Sequence, residues 1–495
     1  MKFVYIPLLV LGLIAEVHAA SLPRSVRDEL KAASIPQSGI AVEVREIGRH
    51  APLISINAHK PMSPASTMKL LTTYAGLDLL GPAYSWRTEA WIDGKLKDGV
   101  LNGNLILKGY GDPKFTIEQF WLWLSEIRAR GLREIRGDLI LDRSYFDLPQ
   151  YDPGEFDNDP LRAYNVGPDA LLLNFNTVRL SYLPGSDGLK VISEPSINGI
   201  SVENQLAPSN GNVDCDYWDD QFSVQPHGDS VVLQGDYPLE CGERAQNLSV
   251  MPHTRFVEGA FRTIWKELGG TLQGQQREGE VSATAKLFST HWSEPLSSII
   301  RDINKFSNNV MARQLFLTLG ESIPATSDSE AVPANEQTAS PTIFPATFPT
   351  SLDRAGRMSL DRSLLAVQIW LTRNNLHFPE LVLENGAGLS RNARISAASM
   401  DKLLQHAYDD PLSSELESSL PILGVDGSVR KRLRDSPAAS HAHLKTGTLE
   451  GVKTIAGYVR SQSGREWIVV FFINSPYAKR GREAQDALIE WVQKR

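Results

Sequence analysis

The spacing of apolar residues changes character twice along the chain. Near the start, Val26 to Ala33 reads as a short helix, and Gly39-Ile40-Ala41-Val42-Glu43-Val44 alternates as a strand should, with Leu53-Ile54-Ser55-Ile56 as its hairpin partner. Leu70, Leu71, Tyr74, Ala75 and Leu77 then form an apolar helical face. Ser63-Pro64 offers that helix an N-cap and a first-turn proline, and Gly81-Pro82 a stop. From about residue 88 the pattern turns to short β-like runs, such as 103–108 and 137–141, between glycine, asparagine and aspartate turns. One helix, about Thr116 to Ala129, interrupts them. Residues 169–247 are nearly all strand and turn, and a helix from about Val257 to Leu268 precedes one more short strand.

Helical periodicity returns near residue 291, with Pro295 to Ile303, Val310 to Leu319, Ser359 to Asn374 and Met400 to Ala407. The chain then closes on three strands, 443–448, 453–459 and 467–472, joined at Glu450-Gly451 and Ser463-Gly464, and a last helix, Arg482 to Val492, with one apolar stripe. Residues 321–350 are rich in proline, serine, threonine and alanine, the composition of a flexible insert. The expected architecture is α/β in the α+β sense: an antiparallel sheet flanked by helices from residues 20–87 and 291–495. The β-rich insertion inside it divides into one unit of residues 88–168 and 248–290 and a second of residues 169–247.

A length of 495 residues fits this division, being too long for one core. The formal net charge of −8 argues against a nucleic-acid partner, and no basic stripe is expected. Met1-Lys2, the apolar run Phe3 to Ala15 and Val17-His18-Ala19 read as a signal peptide cut after Ala19, because a run of about thirteen residues is short of the roughly 20 that span a bilayer. No second such stretch follows, so no transmembrane span is expected after signal removal. In an oxidising compartment Cys215 and Cys241, about 25 residues apart, most simply form one disulfide, worth on the order of 3 kcal/mol. No histidine or cysteine cluster has the spacing of a metal site.

The candidate chemistry begins at Ser66-Thr67-Met68-Lys69, where a hydroxyl and an amine stand one helical turn apart. A chain of this length would hold about two S-x-x-K matches by chance, so this one gains weight from its company. Ser307-x-Asn309 and Lys445-Thr446-Gly447 follow in order, the latter expected to start a strand. Serine becomes a nucleophile when a base takes its proton, and a lysine can be that base when desolvation and a neighbouring charge hold it neutral. Lys69 is the candidate base, Lys445 the neighbouring charge and Ser307 a proton relay. Asn309 can steady Lys69 and hold a peptide bond, while Lys445, Thr446 and Thr448 suit a terminal carboxylate, and Gly447 keeps the strand open to a substrate backbone. Taken singly, Ser307 reads equally as a helix cap, Asn309 as a turn residue and Lys445 as a solvated strand lysine. His441 and His443 read as strand-edge residues without a catalytic part.

Together these motifs resemble those of penicillin-binding proteins and serine β-lactamases, and the chain is similar to the class C low-molecular-mass penicillin-binding proteins, peptidase family S13. The likeness extends over Gly109 to Pro113, Gly137 to Asp147, Glu384 to Arg391, Leu420 to Gly427 and the long insertion between the first two motifs. It implies a penicillin-binding transpeptidase-like fold and a D-alanyl-D-alanine carboxypeptidase and endopeptidase acting on peptidoglycan peptides in the periplasm. It also implies covalent inhibition by β-lactam antibiotics, no cofactor, and an oxyanion hole from the N–H groups of Ser66 and Thr448. One departure is Asn308, where the family commonly has aspartate; its side chain is expected to point away from the substrate. The competing readings are a β-lactamase, for which the large insertion has little use, and a non-catalytic wall-binding protein.

Overall fold

The computed structural model describes residues 21–186, 188–211, 213–228, 230–323 and 356–495. The signal peptide expected at 1–19 lies outside the described residues, as does all but the start of the insert expected at 321–350. The first module opens with α1 (Arg24–Ala32), β1 (Ile40–Glu46) and β2 (Ile54–Ile56), followed by a 3₁₀ turn at Ala65–Met68 and α2 (Lys69–Leu80).

The insertion carries β3 (Arg87–Lys97), β4 (Val100–Gly109), α3 (Ile117–Ala129), β5 (Glu134–Ile135) and β6 (Leu139–Asp142). It continues with β7 (Val178–Gly185), β8 (Gly188–Glu194), β9 (Ser201–Ser209), β10 (Phe222–His227), β11 (Ser230–Pro238) and β12 (Arg244–Leu248). Then come α4 (His253–Glu267), β13 (Thr271–Leu272), β14 (Gln276–Glu278) and β15 (Lys286–Trp292). The chain returns through α5 (Leu296–Phe306), α6 (Asn309–Thr318), α7 (Leu360–Arg373), α8 (Ala397–Asp409) and α9 (Ser413–Ser419). It ends in β16 (Ala442–Leu449), β17 (Val452–Arg460), β18 (Glu466–Asn474) and α10 (Arg482–Gln493).

The central sheet runs β16-β17-β18-β1-β2, antiparallel throughout. Its inner strands β17, β18 and β1 are buried on both faces, and the period-two rule decides which helices each residue meets. Val469, Phe471 and Ile473 pack with Val26 and Leu30 of α1 and with Leu488, Ile489 and Val492 of α10. Ile468, Val470 and Phe472 face the other way, into the cluster holding α2, α5, α6 and α8. Helix α2 runs through that cluster and is buried on every side from Lys69 to Leu77.

The insertion leaves and re-enters at adjacent points. The Trp86 N–H donates to Ser293 Oγ at 2.9 Å and the Ser293 N–H to Trp86 O at 2.9 Å. A loop whose ends already touch costs the host sheet little closure entropy however long it grows. One sheet follows β13-β5-β4-β3-β15, with β6 between β4 and β14; two three-stranded sheets, β10-β11-β9 and β12-β7-β8, lie between its halves in the chain. All three contribute to one apolar cluster running from Ala90 to Trp265. Cys215 and Cys241 are bonded there, with their Cα atoms 5.4 Å apart.

Three details differ from expectation. Helix α9 was not foreseen. Lys445 is the fourth residue of β16 and does not start the strand, because His443 and Leu444 already pair with Tyr458 and Gly457. Glu321, assigned to the flexible insert, accepts hydrogen bonds from the Tyr84 hydroxyl at 2.8 Å and from Tyr145. A carboxylate between two tyrosines anchors the first residue of what composition alone assigned to a linker.

Candidate active site

Between Met62 and Leu77 every residue is buried except Ser66, which is half-buried. The sequence suggested Ser63 as a helix N-cap, but the segment takes another course. Ala65 adopts a left-handed φ of 46°, Ser66 sits in the 3₁₀ turn, and α2 begins only at Lys69. The Ser63 backbone is held instead by Asn474 of β18, whose Oδ1 accepts from Ser63 N at 2.8 Å and whose Nδ2 donates to Ser63 O at 3.1 Å. Pro64 O accepts from the hydroxyls of Thr67 and Thr454, each at 2.7 Å. The sheet thus fixes the Ser66 turn through backbone groups that helix formation would have left unpaired.

Gly447 has a packing reason beside the one expected. A Cβ there would lie 2.7 Å from Ser66 N and 2.4 Å from Thr454 Oγ1. The missing side chain is what lets the Ser66 turn close against β16.

Lys69 is completely buried. Its Nζ lies 2.9 Å from Ser66 Oγ, 2.6 Å from Asn309 Oδ1 and 2.7 Å from Ala387 O. Burial drives its pKa well below the ordinary lysine value, and the charges of Lys445 and Arg313 push the same way. Ala387 stands in a turn whose shape needs two glycines. Gly386 and Gly388 have φ of 68° and 75°, and a Cβ on Gly388 would fall 1.9 Å from Ala65 O. Asn385 Oδ1 accepts from the N–H groups of Ala387 and Gly388 at 3.0 and 3.2 Å. Arg313, one turn beyond Asn309 on α6, is also buried, and its Nη1 donates to Val166 O at 2.7 Å.

Ser307 is the C-cap of α5, in the left-handed region with φ of 57°. Two contacts of the preceding residues hold it there: Lys305 Nζ donates to Asp426 Oδ2 at 2.6 Å, and Asn304 Nδ2 to the buried Ser419 Oγ at 2.8 Å. Ser307 Oγ accepts from Lys445 Nζ at 2.8 Å. Asn308 turns away from this cluster to cap α6, accepting the Met311 N–H at 3.0 Å. Asparagine and aspartate serve that post about equally.

Lys445, fully buried, also donates to Thr446 O at 2.8 Å, and burial pushes its pKa down to about 7. Thr446 is half-buried and Thr448 exposed, on the face of β16 opposite Lys445 and Gly447. The Thr446 hydroxyl bonds Ser428 Oγ at 2.7 Å. Ser66, Lys69 and Asn309 are therefore joined by hydrogen bonds, as are Ser307 and Lys445, and the charge of Lys445 is felt at Lys69. Cys215 and Cys241 belong to the insertion. His443 Nδ1 lies 3.1 Å from Glu417 O. Among the described residues no group of three or more His, Cys, Asp or Glu side chains could hold a metal ion.

Three participants escaped the sequence reading. The Ala387 carbonyl has no side-chain signature, and its only trace was the Glu384-to-Arg391 glycine turn. Arg313 is marked by its spacing of four from Asn309. The third is a cationic group: no basic stripe was expected, yet Arg430, Lys431 and Arg432 meet Lys453 and Arg482 around a cleft of about 360 Å³ that also touches Thr446, Gly447 and Thr448.

A family profile described as "D-Ala-D-Ala carboxypeptidase 3 (S13) family" matches residues 22–339 and 350–495. The D-alanyl-D-alanine carboxypeptidase DacB of Haemophilus influenzae is 25% identical over 442 residues, 88% of this chain and 85% of that protein. The D-alanyl-D-alanine carboxypeptidase of Actinomadura sp. (strain R39) is 26% identical over 445 residues, 86% and 76% of the two chains. The crystal structure of penicillin binding protein 4 (dacB) from Haemophilus influenzae superposes with a TM-score of 0.73 at 23% identity, over 94% of this chain and 99% of that one. A second structure of that protein holds a β-lactam.

Proposed function

The chain belongs to the D-Ala-D-Ala carboxypeptidase 3 (S13) family, and from that premise we propose that it hydrolyses the D-Ala-D-Ala bond ending peptidoglycan stem peptides through an acyl-enzyme on Ser66. The observation that carries the reading is the setting of Lys69. A neutral amine has two N–H groups and one lone pair. Asn309 Oδ1 and Ala387 O, at 2.6 and 2.7 Å, accept the two protons and leave the lone pair to the Ser66 hydroxyl at 2.9 Å.

Ser66 Oγ attacks the carbonyl carbon of the penultimate D-alanine as its proton passes to Lys69. The N–H groups of Ser66 and Thr448 hold the oxyanion, each worth about 3 kcal/mol. Lys445, Thr446 and Thr448 hold the terminal carboxylate. Collapse breaks the C–N bond, and the departing amine takes a proton through Ser307. Water then attacks the ester, Lys69 again takes the proton, and Ser66 is restored. Every step uses groups of the chain and water. Cross-link cleavage follows the same course with a longer leaving segment, and a β-lactam acylates the same serine. The proposed place of action is the periplasm, reached through the signal at 1–19; among the described residues no helix is long and apolar enough to cross a membrane.

The test is D-alanine release from a pentapeptide ending in D-Ala-D-Ala, expected for the wild type and absent from folded Ser66→Ala. Rapid turnover of penicillin without peptide cleavage would point to a β-lactamase. Neither turnover nor a penicillin adduct in a folded sample would leave the wall-binding protein.

A further inference from the structure

The chain as a whole is acidic, with a formal net charge of −8, yet the cleft beside Thr446 and Thr448 is lined by five cations and no carboxylate. They come from three separate stretches. Lys453 is directly opposite Thr448 across β16 and β17. Arg430, Lys431 and Arg432 follow the turn that places Ser428 on Thr446. Arg482 opens α10.

Most of this charge is not cancelled. Arg432 Nε donates to Asp486 Oδ1 at 2.8 Å, and Arg482 Nε lies 3.6 Å from Asp486 Oδ2, so two guanidiniums share one carboxylate. Among the described residues Arg430, Lys431 and Lys453 have no ion-pair partner. Lys453 is half-buried, and burial and the charges of Arg432 and Arg482 lower its pKa, against the opposing pull of Glu483 and Asp486. Gathering like charges costs free energy that an anionic ligand would return.

The position says which anion. Thr446 and Thr448, on the proposed reading of the site, hold the carboxylate of the residue that leaves. The cations line the same cleft as these threonines, and on that reading they stand on the leaving-group side of the scissile bond. We infer that the cleft is a second anion subsite, which takes a further carboxylate carried by an acidic leaving peptide. The inference rests on the proposed function. It assigns to these residues a preference for leaving segments with more than one carboxylate, a property of a cross-bridge and not of a lone D-alanine.

The experiment uses three N-acylated peptides that differ only after the scissile bond, ending in D-alanine, D-glutamine or D-glutamate. The expected kcat/KM for the D-glutamate peptide exceeds that for its D-glutamine isostere by about tenfold or more, and the ratio shrinks as salt is raised. Lys453→Gln and Arg430→Gln each bring the ratio towards one, and Lys453→Arg retains most of it. A ratio of one or less in wild-type protein that cleaves the D-alanine peptide overturns the subsite and leaves the enzyme reading intact. No cleavage of any peptide and no penicillin adduct overturns both.

Discussion

Two lysines of this chain are completely buried, the charge of one felt by the other, and on the proposed reading their surroundings give them opposite tasks. Lys69 stands at the start of α2 with Ser66 Oγ, Asn309 Oδ1 and Ala387 O around its amine, and burial is reinforced by the charges of Lys445 and Arg313. Lys445 stands on an edge strand with Ser307 Oγ and Thr446 O, and burial alone lowers its pKa, to about 7. The first setting weakens an amine's hold on its proton beside a hydroxyl. The second lowers an amine's pKa to about 7, where, on the proposed reading, an arriving carboxylate would restore the charge. Burial is common to both; neighbours decide between base and binding charge.

The largest effect should come from exchanging each lysine for a cation that cannot be a base. Lys69→Arg should slow acylation by a fluorescent penicillin by about 10³-fold or more, because a guanidinium is not deprotonated in proteins. Lys445→Arg keeps a cation and should cost only about tenfold. Equal losses would erase the distinction between the two settings.

Gly447 joins them, and Gly447→Ala should slow acylation by about 10²-fold with a loss of about 1–3 kcal/mol in stability by denaturant melts, since the new methyl collides with the Ser66 turn. Normal acylation in a folded variant would show that the turn has room that the packing denies.

The pH dependence sharpens the contrast. Lys445 loses its proton as pH rises through about 7, so kcat/KM for a peptide with a free C-terminal carboxylate should fall above that pH. For the corresponding C-terminal amide, which needs no charge from Lys445, the fall should be weaker. Parallel profiles would remove Lys445 from carboxylate binding.

The smallest effect is expected at Asn308, which faces away from both lysines to cap α6. Asn308→Asp should leave acylation within about twofold and stability within about 0.5 kcal/mol. A larger kinetic change would mean that the departure from the family pattern reaches the site.

What could be read from the chain follows from how far apart its causes lie. Ser66 and Lys69 are legible because one helical turn brings them together, and the closing meander because each strand meets its neighbour through a short turn. The Lys69 environment is less so. The Ala387 carbonyl arrives from over three hundred residues away on a turn whose only mark is its glycines. Ser63 misled as a cap because Asn474, on the far side of the insertion, competes for its backbone. The cationic cleft was invisible for the same reason: Arg430 to Arg432 are a short run in an acidic chain until β17 and α10 bring Lys453 and Arg482 beside them.

The most direct test of the account is the acylation of wild-type protein and Lys69→Met by penicillin, followed by peptide mapping of the adduct. The account predicts one penicilloyl group, on the peptide containing Ser66, in the wild type, and acylation slowed by about 10³-fold or more in a folded Lys69→Met. An adduct on any other residue, or a Lys69→Met variant that acylates at the wild-type rate, would contradict it.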